Sequence, residues 1–221
     1  MVNQLAQTQE IVDFIENTHE KYEKLLNIEE QTAFMASFIL LARVIGLLYN
    51  TQNAFDNQHY LAVRLNMRGI YEANMMAKYF TIAFQKKSQS LENNLNKWFS
   101  GKVIENKIVR NLFVKELGAS ESELNQLYRL YSRPVHNTYQ SVMESYEGAQ
   151  INEQKVILKA RNGFEYQKCA NKQMLSDLFK LYKQSLVNSL NTLDLCLMVM
   201  LDRNEVAKIK QYIQQLKGVK K

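Results

Sequence analysis

AFMASFILLARVIGLLY, residues 33–49, is the longest apolar run of the chain and decides its fold class. The run is apolar on nearly every face of a helix, which predicts a helix buried among other helices. Arg43 interrupts the run, and the run is too short to span a bilayer comfortably. We therefore expect a central core helix over about residues 30–50 and no membrane association.

The composition around this run favours helices throughout. The 221 residues include only seven glycines and one proline, the residues that punctuate loops and sheets. Leu, Ala, Glu, Lys, Gln and Met, all good helix formers, fill much of the rest. The sequence predicts an all-α, multi-helix bundle, with a single domain over residues 1–205 and a basic helical tail over 206–221.

Apolar periodicity and capping signals divide the chain into further helices. Gly101 and Gly118 are predicted to end two of them as C-caps. Polar connections are expected at residues 50–58 and 143–154, and the Asn162-Gly163 dipeptide predicts a small hairpin or extended loop near 154–168. The other predicted helices cover about residues 4–26, 59–85, 91–101, 104–117, 120–131 and 172–201.

The cysteines and histidines indicate in which cellular compartment the protein resides and whether it binds a metal. Two cysteines, Cys169 and Cys196, make no disulfide framework, which favours a reducing compartment. The first residues lack the pattern of a signal peptide, so a cytoplasmic location is expected. The three histidines are not spaced as metal ligands, and glycine-rich phosphate loops are absent from the sequence. We expect no metal and no cofactor.

YRLYSRPVHNTYQ, residues 128–140, contains the only proline of the chain, Pro134. Proline lacks an N–H and belongs at the first turn of a helix or at a kink, and the residue before it is pushed out of helical geometry. The pattern predicts that one helix ends near Tyr131 and another begins at Pro134. Ser132 or Arg133 would then take the cap position.

A helix beginning at this point would expose backbone N–H groups beside cationic side chains. Such a helix start attracts anions. Arg129 and Arg133 can make forked hydrogen bonds to phosphate, and His136 can move a proton near neutral pH. The segment is therefore a candidate anion site, although a simple kink with His136 packed against a carbonyl explains the same residues.

A second group of charges lies on the third predicted helix, in the pattern R-x3-R-x3-E. Arg68 and Glu72 are four residues apart, so they can form an ion pair along the helix. Their apolar surroundings predict that both are mostly buried. Arg64, one turn earlier, is either part of a structural ion-pair network or a cation directed at a bound anion.

Together these segments resemble an uncharacterised group of bacterial all-helical proteins that is itself distantly similar to the HEPN superfamily. The resemblance covers roughly residues 30–145 and rests on short motifs. The residues that carry the resemblance are Arg64, Arg68 and Glu72 on the third predicted helix, and Tyr131, Ser132 and His136 in the segment 128–140.

The resemblance implies a HEPN-like helical bundle, commonly a homodimer, and metal-independent ribonuclease activity in a defence or toxin–antitoxin system. The HEPN motif is an arginine, usually followed by a polar residue, and a histidine that is separated from the arginine by four to six residues. Arg129 and His136 have six residues between them, the upper limit of this spacing, with Leu130 in place of the polar residue. His136 would then be the general acid or base and Arg129 would stabilise the phosphate, with Ser132, Arg133 and Arg64 binding the anion.

A different class of function is also compatible with the sequence. In this alternative the chain is a non-enzymatic interaction module that binds a protein partner or a small anionic ligand. Arg68 and Glu72 would then serve only to support the fold.

Overall fold

The structure is a computed structural model, and it describes residues 2–24, 26, 31–132, 146–152, 155–160 and 172–218. These ranges contain eight α-helices and two β-strands, and the helices share one apolar core. The predicted all-α, multi-helix bundle is thereby confirmed. The elements in chain order are α1 (Val2–Glu23), α2 (Ala33–Asp56), α3 (Tyr60–Gln85), α4 (Leu91–Phe99), α5 (Asn106–Leu117), α6 (Glu121–Ser132), β1 (Tyr146–Asn152), β2 (Lys155–Ala160), α7 (Lys172–Leu197) and α8 (Arg203–Lys217).

Helix α2 is the central helix that the long apolar run predicts. It begins after Thr32, whose side chain accepts a hydrogen bond from the N–H of Met35, and it packs along α3. The polar connection predicted at residues 50–58 is wrong, because α2 continues to Asp56. Thr51 and Phe55 in this last part are buried against neighbouring helices, so tertiary packing keeps a polar sequence helical.

Among the described residues, α2 is also the one helix whose length and composition would allow it to cross a membrane. More than half of its apolar stretch is buried inside the protein. The core of the bundle therefore accounts for its hydrophobicity.

Helix α7 closes the core on the far side of α3 through small polar side chains. The Asn74 amide donates to the Ser189 hydroxyl at 3.0 Å, and both residues are buried. Thr81 lies 3.2 Å from the buried Cys196 thiol. Buried polar groups that are hydrogen-bonded in this way fix how two helices align.

Three shorter helices, α4 to α6, cover the other side of α3. The predicted glycine C-caps are confirmed, because Gly101 and Gly118 have φ angles of 76° and 63°. At the start of α6, the N–H of Glu123 donates to the Ser120 hydroxyl. These short connections bring α5 and α6 back onto α3.

The hairpin lies earlier in the chain than the Asn162-Gly163 dipeptide predicts. Strand β2 falls inside the predicted region, but it pairs antiparallel with β1, which occupies most of the predicted polar loop at 143–154. Asn152 lies opposite Lys155 at the closed end of the pair. Residues 162 and 163 are outside the described residues.

Helix α8 begins three residues before the predicted start of the basic tail. Its first turn carries a capping box formed by Asp202 and Glu205. Ile209 and Tyr212 are buried, and the Tyr212 hydroxyl donates to Glu10 of α1 at 2.8 Å. Helix α8 therefore packs on the bundle along the part that the structure describes.

Candidate functional site

The predicted ion pair on α3 is formed. Nε of Arg68 donates to Oε1 of Glu72 at 2.8 Å, one helical turn away. The side chains are 20% and 46% exposed, respectively, so the prediction that both are mostly buried is wrong for Glu72. Leu65, two turns before Glu72 on the same face of α3, is also exposed, so neighbouring helices cover this face only in part.

Arg68 is nonetheless incompletely paired. Its Nη1 atom is buried and has no hydrogen-bond partner among the described residues. A buried donor without a partner carries a desolvation cost, which an anion or a carbonyl oxygen could offset. Arg64 is half-buried one turn earlier on the same helix.

A pair of stacked tyrosines joins this part of α3 to the end of α6. The rings of Tyr71 and Tyr131 are 4.9 Å apart and inclined by only 17°. The Tyr131 hydroxyl also lies 3.4 Å from that of Ser185 on α7. The end of α6 is therefore held between α3 and α7, beside the segment that carries Arg68 and Glu72.

The remaining residues of the predicted site follow Tyr131 or lie just before it. Arg129 is exposed in the last turn of α6, and Ser132 is the last residue of that helix. Arg133, Pro134 and His136 lie outside the described residues. So do the predicted helix start at Pro134 and the predicted groove shared by Arg129 and His136.

A cleft of about 340 Å³ lies between α3, α5, α6 and α7, behind the stacked tyrosines. Its volume is within the range of small-molecule sites. Leu117 and Gln184 are exposed, so the cleft opens to solvent. Its lining consists of Tyr71, Met75, Lys78, Phe113, Leu117, Ala119, Leu124, Leu127, Tyr131, Gln184, Val187, Asn188 and Asn191.

Lys78 supplies the one charged side chain among the lining residues that the structure describes. Its ammonium donates to Oδ1 of Asn188 at 2.5 Å, and burial lowers its pKa to about 8. The Tyr71 hydroxyl is buried without a hydrogen-bond partner among the described residues, and burial raises its pKa to about 12. A cation and an unused phenol donor thus border one largely apolar space.

Comparison with protein-family models, curated protein sequences and solved structures gives no significant match.

A second, smaller cleft of about 250 Å³ adjoins the first through Tyr71 and Met75. Tyr128 forms part of its wall, and the guanidinium of Arg110 lies over the Tyr128 ring at 5.4 Å. Arg110 also donates to Asn125, while its Nε is buried without a hydrogen-bond partner in the described part of the chain. The surroundings of Tyr71 are therefore rich in cationic donors.

Metal chemistry has no candidate ligand cluster in the described residues, where His, Cys, Asp and Glu form no group of three or more. His19 is buried, its Nε2 lies 3.1 Å from the Phe38 carbonyl oxygen, and its ring stacks on the Phe38 ring. Burial lowers the pKa of His19. This histidine is a packed core residue.

Sequence reasoning missed Lys78, Tyr71 and Asn188. A signal for the first two was present, because Tyr71, Met75 and Lys78 recur at helical spacing. Asn188 gives no such signal, since its role depends on how α7 aligns with α3.

Proposed function

We propose that the chain is a HEPN-like bacterial protein that acts on RNA at the place where α3 meets the end of α6. Its activity would be metal-independent cleavage, or RNA binding by a degenerate form of the same site. Arg64 would bind phosphate from α3 with the Arg68–Glu72 pair as structural support, Arg129 would stabilise the phosphate from α6, and His136 would transfer the proton.

The observation that carries this proposal is the stacking of Tyr131 on Tyr71. It holds the last turn of α6 against the middle of α3, so Tyr131 of the second segment lies beside the helix that carries Arg64, Arg68 and Glu72. His136 follows Ser132 by four residues, and four residues of chain span at most about 14 Å. Within the part of the chain that the structure describes, the buried Nη1 of Arg68 has no hydrogen-bond partner, which also favours an anion in this region.

The overall charge agrees with a polyanionic substrate. The formal net charge is +6, and basic proteins gain much of their nucleic-acid affinity from phosphate contacts. A cytoplasmic location and a homodimer belong to the same proposal. Sedimentation analysis of the purified chain tests the dimer.

The proposed activity is tested by incubating the protein with total RNA and with individual tRNAs in buffer containing EDTA. His136→Ala should lower cleavage by roughly 10²- to 10⁴-fold, because it removes general acid–base catalysis. Its RNA affinity should stay close to that of the wild type. Intact RNA under all metal-free conditions would refute the nuclease and leave only the binding form of the proposal.

Binding is tested by titrating a single-stranded RNA at several salt concentrations. Arg129→Ala should weaken binding and make the salt slope shallower by about 0.7 for the lost phosphate contact. Arg43→Ala is the matched control, because Arg43 is an exposed arginine on α2. If the two variants bind RNA alike, Arg129 has no specific role.

The alternative of a non-enzymatic interaction module keeps one observation in its favour. Arg68 and Glu72 form an ion pair within one helix, a contact that requires no bound anion. An RNA-inert protein whose Arg129→Ala variant behaves as the wild type would favour this alternative.

A further inference from the structure

We propose that the 340 Å³ cleft between α3, α5, α6 and α7 binds a small molecule with an apolar body and a carboxylate, and that Lys78 pairs with the carboxylate. This site is separate from the proposed RNA chemistry and does not depend on it. The proposed RNA activity makes no use of this cleft.

Charge complementarity gives the first reason. Among the described residues of the lining, Lys78 is the one that carries a charge, and these residues include neither Asp nor Glu. Among the described residues, the ammonium forms its one hydrogen bond with a neutral partner, Asn188. An ammonium that is removed from water and has no counter-ion is unfavourable, and a bound carboxylate would supply one.

The second reason is the hydroxyl of Tyr71. The residue is 5% exposed and lines the cleft, yet this hydroxyl has no hydrogen-bond partner in the described part of the chain. Buried polar atoms in folded proteins are nearly always satisfied. An acceptor oxygen of a ligand that reached this hydroxyl would satisfy it.

The composition of the lining indicates what the rest of the ligand is like. Away from Lys78, the wall consists of aliphatic and aromatic side chains. Asn188 accepts from Lys78 through its carbonyl oxygen, which leaves its NH₂ group as a further donor. The arrangement is typical of ligand sites that bury an apolar body and orient it by a few polar groups.

The lowered pKa of Lys78 agrees with this arrangement. A bound carboxylate favours the charged ammonium and raises its pKa. Binding of a carboxylate near pH 8 and above is therefore expected to take up protons, whereas binding of a neutral analogue is not.

Octanoate is a suitable probe, and octanamide is its uncharged control. Isothermal titration at pH 7 should show octanoate binding roughly ten- to hundredfold more tightly than octanamide, the value of a charged hydrogen bond. At pH 9.5 the difference should largely disappear, because Lys78 is then mostly neutral. In spectra of protein labelled at the methionine methyl groups, the Met75 signal should shift and that of the exposed Met198 should not.

Four variants separate the effect of charge, the effect of space and the proposed RNA site. Lys78→Met should reduce octanoate affinity to that of octanamide, while Lys180→Met, an exposed lysine of α7, should leave it unchanged. Val187→Trp should fill the cleft and abolish binding of both probes. The His136→Ala variant should bind octanoate as the wild type does, which keeps this site distinct from the RNA site.

The proposal is overturned by any of three results. One is that the wild type does not bind octanoate at millimolar concentration. The second is that octanoate and octanamide bind equally at pH 7. The third is that a folded Lys78→Met protein retains the preference for octanoate.

Discussion

The rings of Tyr71 and Tyr131 stack at 4.9 Å, and this contact joins the middle of α3 to the last turn of α6. Both rings are buried, and both line the larger cleft. On one side of the stack lies the Arg68–Glu72 pair, and on the other lies Lys78. The stack thus separates the proposed RNA site from the proposed ligand site while it supports both.

Truncation of Tyr131 should test how much the stack contributes to stability. Tyr131→Ala is expected to lower the free energy of unfolding by about 3–5 kcal/mol, as for other large aromatic side chains that are removed from a core. Tyr131→Phe keeps the ring and loses only the long contact with Ser185, so its cost should be under about 1 kcal/mol. Urea denaturation measures both. Equal losses in the two variants would mean that the hydroxyl, and not the ring, is important.

The helix pattern of the chain could be predicted from the sequence because periodicity and caps are local signals. Helix α3 was predicted over residues 59–85 and spans Tyr60–Gln85. The end of α2 could not be predicted, since Thr51 and Gln52 become helical through burial against other helices. The hairpin partner was missed for a similar reason, because β1 is polar and its pairing depends on backbone hydrogen bonds.

The candidate site was predicted less well than the helices. The contact of Arg68 with Glu72 follows from spacing on one helix. The exposed fractions of the two side chains do not follow from spacing, because they depend on which helices cover this face of α3. Lys78 becomes notable only when Asn188 of α7 is placed against it. Such relations between distant segments are fixed by tertiary packing, which a single sequence does not reveal.

The exposure of Glu72 changes the expected cost of breaking its ion pair. A fully buried pair would lose on the order of 3–5 kcal/mol when one partner is neutralised. With Glu72 46% exposed, Glu72→Gln should cost about 1 kcal/mol or less, as for other ion pairs near the surface. Denaturant midpoints at low and high salt check this. A loss above about 3 kcal/mol would show that Arg68 depends on Glu72 for its charge balance.

Replacing each of two glycines with alanine should change the stability of the protein in opposite directions. Gly46 is exposed inside α2, and a Cβ there would meet no atom within 4 Å. Gly46→Ala should therefore stabilise the protein by about 0.5–1 kcal/mol. Gly118 caps α5 at a φ of 63°, so Gly118→Ala should destabilise it by about 1 kcal/mol. Thermal unfolding of the two variants measures both shifts, and a destabilised Gly46→Ala would contradict the open surface at that position.

Lys78 should make the stability of the protein depend on pH in a defined window. Burial lowers its pKa from the ordinary 10.5 to about 8. Between these values the unfolded chain binds a proton that the folded protein lacks, so stability rises with pH. Below pH 8 the charged ammonium is a cost of about 3 kcal/mol, from 1.36 kcal/mol for each pKa unit.

Replacing Lys78 with Met should remove this dependence while keeping most of the volume of the side chain. The variant should be more stable than the wild type at pH 7 by about 1–3 kcal/mol, because the loss of the hydrogen bond to Asn188 offsets part of the gain. The advantage should shrink as the pH rises to 9.5. Urea denaturation of both proteins from pH 7 to 9.5 measures the difference, and the tyrosine ionisation that begins near the upper end affects both proteins alike. A constant difference across that range would mean that Lys78 has an ordinary pKa in the folded protein.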